Sequence, residues 1–553
     1  MSPGCALVYF PGWPGEPWTL MPSRSLALAA GALTDAGHPV RVYDYGTVTL
    51  FDRLYPAGAR TTMEEAAARI EDGGGQTGPW EEALRDELGP WAEAYGAALR
   101  AQGAETARVL SEAGHRFVAF RIVTPLDLFA MDAAVKPLRA LREDVLIAAF
   151  GPGAAQRPFT VLRACRGVAA VCCDAAATAG LCSMAAHLGD ADAWRGVWVR
   201  GRGGRAPALK GGAPGALRQA PPAYGAGVYP GIAGDDKLKL FAVDEEIPAN
   251  ALGDSGPRER AEAKPPLTAV AAEVAHLQRL YNARAFVFPN PATPPRHAAA
   301  IAHGLRVRGL NTVFARSVQA EGARELVEAL RGSGCAALDL TIGSGSQRLL
   351  DGYYGYGFTV SAAEEMVRAS KAAGLFTAVR FRFPCPADDY HTRAETLRFV
   401  ARTRPHGVSV DPFPPATEHW RPDEAGVRDF RGPLLHLLRM WRWACLPPGA
   451  DPPYEREGRR LSYRGMEVQA RDNLVRALSG WGGVTYRSGE MALLARLASG
   501  PGHTRLFAHQ FLRAFLTGDA ATVYAIQDRI NASACPAARA AAPGLLAHTV
   551  TGG

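Results

Sequence analysis

The sequence predicts an α/β protein of two successive units followed by a helical segment. Three observations carry that expectation. Short apolar runs alternate with amphipathic helical stretches over residues 1–200, and the same alternation resumes over 236–420. A stretch that opens Gly-Arg-Gly-Gly-Arg, just after Arg200, and continues in Gly, Ala and Pro, 201–235, separates the two as a linker. From 421 to 553 the pattern changes to apolar helical segments. A chain of 553 residues is also too long for a single core.

The first unit opens with an apolar strand at 6–10 and a turn-rich loop that runs to Ser25. A helix at 26–36, stopped by Gly37, leads to a strand at 40–43 that ends at Asp44. Residues 63–114 read as a long helical insertion. Strand 117–122 precedes helix 128–141, and strand 145–150 runs into Gly151-Pro152-Gly153. Helix 159–164 and strand 168–173 close the unit at Cys173 and Asp174. Such alternation implies a parallel, doubly wound sheet, whose ligands sit beyond the carboxyl ends of the strands. Here those ends are the loop 11–25, Asp44, Thr124-Pro125, Gly151-Pro152-Gly153 and Cys173-Asp174.

In the second unit, helices at 268–281, 297–308, 323–333, 362–374 and 394–403 alternate with strands at 286–288, 312–315, 337–342, 377–383 and 407–411. This run of βα units predicts a full or partial βα barrel. The last segment carries helical stretches at 434–444, 472–479, 490–498, 504–516 and 520–531.

Composition narrows the function. The chain is 48% hydrophobic and 21% charged, as in ordinary globular proteins. Its net charge of +7 comes from scattered Arg, with no dense basic run, which argues against nucleic acid as a partner. No apolar run is long enough to span a bilayer, and the N-terminus lacks a basic n-region, so a cytoplasmic protein is expected. Nine cysteines at irregular spacing form neither a disulfide framework nor a zinc motif, and no metal site is expected. The Arg- and Ala-rich style fits natural-product biosynthesis in a GC-rich organism. The oligomeric state is not readable from the sequence.

Several blocks, in order, resemble cobalamin-binding radical S-adenosylmethionine (SAM) proteins over most of 1–420. Pro22-Ser23-Arg24-Ser25 through Ala36-Gly37-His38-Pro39-Val40 to Asp44 looks like the family's opening Rossmann unit. Gly151-Pro152-Gly153 and Val171-Cys172-Cys173-Asp174 stand where the family has two glycine-rich turns. Thr341-Ile342-Gly343-Ser344-Gly345-Ser346 resembles Gly-x-Glu-Ser-Gly-Ser, and Phe383-Pro384-Cys385-Pro386 falls where Gly-x-Pro-Gly is common. The resemblance implies an N-terminal Rossmann-like cobalamin-binding domain, a radical-SAM-type βα barrel and a helical C-terminal segment.

Two departures concern chemistry. The best register puts Ile247, Ala251 and Asp254 where the family has the three cysteines of its iron–sulfur cluster, with Pro248 kept. The family's Glu in the Ser-Gly-Ser block, a SAM contact, is Gly343 here. The resemblance therefore implies cobalamin without a 4Fe–4S cluster, leaves SAM binding open and excludes reductive SAM cleavage. The chain has no Asp-x-His-x-x-Gly, so cobalamin would bind base-off, with no protein histidine on cobalt. Its tail would lie near Gly151–Gly153 and Cys173–Ala177, where glycine permits close backbone approach.

Cofactor candidates are Pro22, Ser23, Arg24, Ser25, Asp44, Thr124, Pro125, Gly151, Pro152, Gly153, Cys173 and Asp174. Helix capping and ordinary turns compete for several of them. Substrate candidates are Glu245 and Glu246 in the former cluster loop, Ser344, and the aromatic loop with Tyr353 and Tyr356. Catalytic candidates are His391, since histidine as a residue type suits general acid–base work, Asp411 at a barrel strand end, and Tyr354. Three activities fit: a cobalamin-dependent enzyme acting on a small molecule by methyl transfer or by cobalt-assisted cyclisation or rearrangement; a SAM-binding polar methyltransferase; and a non-catalytic cobalamin-binding or partner protein.

Overall fold

The computed structural model describes residues 4–72, 89–173, 178–200, 208–210, 220–234, 236–243, 267–290, 293–320, 324–382, 387–411, 483–485 and 488–536. Two seven-stranded sheets organise them.

The first sheet comprises β1 (Cys5–Tyr9), β2 (Val40–Asp44), β3 (Phe117–Arg121), β4 (Leu146–Phe150), β5 (Ala170–Cys172), β6 (Val197–Val199) and β7 (Ala208–Lys210), in the order β2-β1-β3-β4-β5-β6-β7. The first five are parallel; β6 and β7 add antiparallel at one edge. β1 and β3 are buried at every residue because helices cover both faces, which explains their uninterrupted apolar sequence. Local signals place the helices. Ser23 caps Arg24–Asp35 by accepting from the Leu26 N–H, and Thr124 with Asp127 forms a capping box at the start of Pro125–Leu141.

The second sheet comprises β8 (Phe241–Ala242), β9 (Ala285–Phe288), β10 (Val313–Gln319), β11 (Cys335–Gly343), β12 (Phe376–Arg382), β13 (Gly407–Asp411) and β14 (Val484–Thr485). All are parallel and lie in chain order, the arrangement of a βα-barrel segment. Its two faces differ. One carries Leu338, Leu340, Ile342 and Phe381, and packs the crossover helices, as Phe381 does edge-on against Phe399. Register aligns Ser317, Asp339, Ala378 and Gly407 on the opposite face, followed one layer up by Gln319, Thr341, Arg380 and Ser409.

The α/β expectation holds, with differences of detail. The insertion read at 63–114 forms Ala57–Asp72, which begins before it, and Gly89–Glu112, after a short helix Val48–Leu54. Strands β6, β7, β8 and β14, of two or three residues each, are too short for a periodicity to form. Part of the predicted linker is packed. Tyr224 and Tyr229 are buried, Ala223 N–H bonds Ala27 O, and Val42 N–H bonds Val228 O. Of the C-terminal helices, Ser488–Ser499, Thr504–Thr517 and Ala520–Ala534 form; the predicted stretches 434–444 and 472–479 lie outside the described residues.

Candidate functional site

The order of the first sheet puts its topological switch point between β1 and β3, where a ligand is expected beyond the strand ends. The chain's own loop fills that crevice. Gly12 N–H donates to Asp127 Oδ1 at 3.0 Å, and a Cβ at Gly12 would fall 2.1 Å from Leu126 O. The Val123 and Thr124 N–H groups donate to Asp127 Oδ2, both at 2.8 Å. Burial pushes the Asp127 carboxyl up, against those three backbone bonds. Tyr95, from the helix Gly89–Glu112, donates its hydroxyl to Gly12 O.

Next to the crevice, polar candidates bond to one another. Ser23 N–H donates to Tyr229 Oη at 3.0 Å, and Tyr229 donates to Asp44. Asp44 pairs with Lys237 at 2.8 Å, both side chains fully buried. Burial pulls the Lys237 ammonium down and Asp44 pulls it back up, while its Nζ also donates to Gly46 O at 2.7 Å. Arg121 Nε donates to Ser25 Oγ at 2.7 Å, with its guanidinium 4.6 Å from the Tyr9 ring centre. Arg24 reaches the second unit and makes two 2.9 Å bonds to Glu273, which also accepts from Tyr224 Oη at 3.1 Å. Arg24 and Asp44 thus reach the second unit, while Ser23 bonds Tyr229 of the predicted linker and Ser25 stays within the first unit, beside buried Pro22.

The turn after β4 differs. Gly151 holds φ +98°, and Cβ atoms at Gly151 and Gly153 would sit 2.8 Å from Ile122 O and Val123 O. Glycine lets this turn lie flush on the end of β3. Around it Thr124, Pro152 and Cys173, three half-buried uncharged residues, form a ledge across the ends of β3, β4 and β5. Pro125 begins the adjoining helix; Asp174 lies outside the described residues.

At the carboxyl end of the second sheet the Ser-Gly-Ser turn packs inward. Ser344 Oγ lies 3.2 Å from Thr396 Oγ1, Gly345 N–H donates to Thr396 Oγ1 at 3.0 Å, and a Gly345 Cβ would fall 2.6 Å from Thr396 Cα. A π-helical turn, Leu350–Tyr354, follows. Tyr354, Tyr356 and Phe358 then stack in parallel, with centroids 5.3 and 5.6 Å apart, and Tyr353 meets Tyr354 edge-on. Tyr354 Oη donates to Arg382 O at 2.9 Å. Gly343 has φ +79°, and a Cβ there would fall 2.7 Å from Tyr356 Cε2. The Tyr356 ring fills the space a glutamate side chain would need.

The remaining candidates lie apart. His391 is exposed in the first turn of Tyr390–Thr403, edge-on to the Tyr390 ring. Asp411 closes β13 in register with Arg382. Glu245, Glu246, Ile247, Ala251 and Asp254 lie outside the described residues. Among the described residues no group of three His, Cys, Asp or Glu side chains could hold a metal ion, and no helix is long and apolar enough to cross a membrane.

Sequence reading missed Arg121, Lys237, Glu273, Asp339 and Glu490. Two carried a signal: Lys237 is one of six lysines, and Asp339 is the single acid in an otherwise apolar strand.

The two-sheet architecture decides the comparison with known proteins. Its structural neighbours are cobalamin-dependent SAM radical enzymes. The chain is similar to OxsB, solved with aqua-cobalamin and SAM bound, at TM-score 0.50 and 12% identity over 79% of this chain and 55% of OxsB. OxsB with aqua-cobalamin alone gives TM-score 0.50, 12% identity and coverage of 78% and 55%. This chain therefore spans little more than half of OxsB. The radical SAM methyltransferase TsrM from Kitasatospora setae, with tryptophan and a SAM analogue bound, gives TM-score 0.48 and 13% identity over 74% of this chain and 73% of TsrM. No family model and no curated protein matches the chain.

Proposed function

We propose that the chain is a cobalamin-dependent enzyme that acts on a small molecule without an iron–sulfur cluster, by methyl transfer or by cobalt-assisted cyclisation or rearrangement. The observation that carries this reading is at Gly343. The fold is shared with OxsB, yet the space beside Gly343 is filled by Tyr356, and no cysteine stands at Ile247, Ala251 or Asp254. These features support a reading in which the fold is kept without the residues for SAM cleavage.

The residues that fit a corrinoid are those of the ledge. Gly151 and Gly153 give backbone approach without side chains, and Thr124, Pro152 and Cys173 offer half-buried, uncharged contact. Bound cobalamin would supply a nucleophilic or alkylating cobalt centre. The chain's own part is to hold the units in fixed relation through Arg24–Glu273 and Asp44–Lys237, and to shield the reacting groups from water. Tyr354 and Tyr356 would orient substrate as a rigid aromatic wall.

Reconstitution with hydroxocobalamin, followed by an ultraviolet–visible spectrum and an iron and sulfide assay, tests this. A corrin spectrum with neither iron nor sulfide is expected. Protein that stays colourless, or that binds stoichiometric iron and sulfide, overturns it. Calorimetry with SAM tests the polar methyltransferase alternative, which the filled space beside Gly343 disfavours.

A further inference from the structure

Helix Ser488–Ser499 lies on the face of the second sheet opposite its crossover helices. Ser488 N–H donates to Ser409 Oγ at 3.2 Å, and Gly489 N–H to Asp339 Oδ1 at 3.1 Å. The approach needs glycine on both sides. A Cβ at Gly407 would fall 2.4 Å from Ser488 Cβ, and one at Gly489 would fall 2.9 Å from Asp339 Oδ2. Ser488 through Ala495 are buried without a break.

At the centre of this contact, among the described residues, two buried carboxyl groups, Asp339 and Glu490, flank one cation, Arg380. Arg380 Nη2 lies 3.2 Å from Asp339 Oδ2 and 3.9 Å from Glu490 Oε1. With both ionised, the cluster would hold an uncompensated negative charge out of water; with one proton shared it is neutral. Two further atoms mark the place. Glu490 Oε2 and Thr341 Oγ1, on residues 3% and 4% exposed, have no hydrogen-bond partner among the described residues. Thr341 stands in register with Arg380 on the same face.

We propose that a single proton shared by Asp339 and Glu490 seats helix 488–499 on the sheet, so that closure of this face by the C-terminal helices is linked to pH. Burial, and then the Glu490 carboxylate, push the Asp339 carboxyl up, while Arg380 pulls it down. Glu490 and Arg380 are the charged groups that act on it. β10 and β13 face it with Ser317 and Ser409. The helices packed on Ser488–Ser499 turn their charges elsewhere: Arg513 and His509 toward Glu71, while Arg505, Asp528 and Arg529 are exposed. The seated state binds a proton that an unfolded carboxylate has already lost. Seating is therefore strongest in the ordinary carboxylate range, weakens as pH rises, and levels off above the raised value.

Hydrogen exchange of residues 488–499 in the full chain tests this, with wild type compared to Glu490→Gln at each pH so that intrinsic exchange cancels. Between about pH 5 and about pH 8, opening of the wild type relative to the variant should rise, up to about tenfold per pH unit, and then level off. A ratio that stays flat overturns the proposal. Asp339→Asn provides the second variant and should flatten the same dependence. Infrared spectra of the wild type alone give a readout independent of any variant. A buried protonated carboxyl band that fades over the same pH range supports the shared proton; its absence at the acidic end refutes it.

Discussion

Replacing Gly343 by alanine isolates what the Tyr356 ring does. The residue sits at φ +79°, where an L side chain costs about 1–2 kcal/mol. The added methyl would fall 2.7 Å from Tyr356 Cε2 and 3.5 Å from Tyr354 Cδ2, so the stacked rings must shift. Overpacking of this kind costs about 1–3 kcal/mol, for a sum of roughly 2–5 kcal/mol. The two contributions separate in a cycle of wild type, Gly343→Ala, Tyr356→Ala and the double variant, followed by urea unfolding. Without the Tyr356 ring only the backbone part remains, so a coupling of about 1–3 kcal/mol is expected. Equal cost in both backgrounds would refute the idea that the ring occupies this space.

Three other outcomes follow from the geometry. Arg24→Ala leaves the Glu273 carboxylate buried with only the Tyr224 hydroxyl, a loss of about 3–5 kcal/mol, and limited proteolysis should cut 220–234 faster. Phe515→Ala removes a ring packed against Phe51 and Phe511, and calorimetry should show destabilisation of about 3–5 kcal/mol. His391→Ala, at an exposed helix start, should move urea-unfolding stability by no more than about 0.5 kcal/mol.

The strands long enough to show a pattern were legible. β1, β3, β4 and β9 to β13 all follow from apolar runs bounded by Gly, Pro or Asp. What escaped was decided by tertiary contact. β6 and β7 are short edge additions, and Tyr224 and Tyr229 are drawn into the core from a stretch whose composition reads as linker. The site divides in the same way. Gly151 was visible as a turn signal and Gly343 as a departure from the resembled motif, and the positive φ of each has a local cause. Ser23, Arg24 and Asp44 carry partners 206, 249 and 185 residues away, which no local window can show. Asp339 bonds Gly489 N–H across 150 residues, which brings the adjoining Glu490 to it.

The C-terminal helices also reach back to the first unit, and this has a consequence for how the chain is made. Thr49 contacts Tyr524 across 475 residues, Tyr55 donates to Leu516 O, and Phe515 packs on Phe51. At about 5–20 residues per second, a ribosome needs roughly 20–100 s to reach those partners after Thr49 has emerged. For that interval the sides of Phe51 and Tyr55 that meet Phe515 and Leu516 are uncovered, with Trp13 packed against both rings. The first sheet can form early, but its outer helices wait for the end of translation. A nascent chain stalled before the last helices would therefore be a substrate for chaperones rather than a finished first domain.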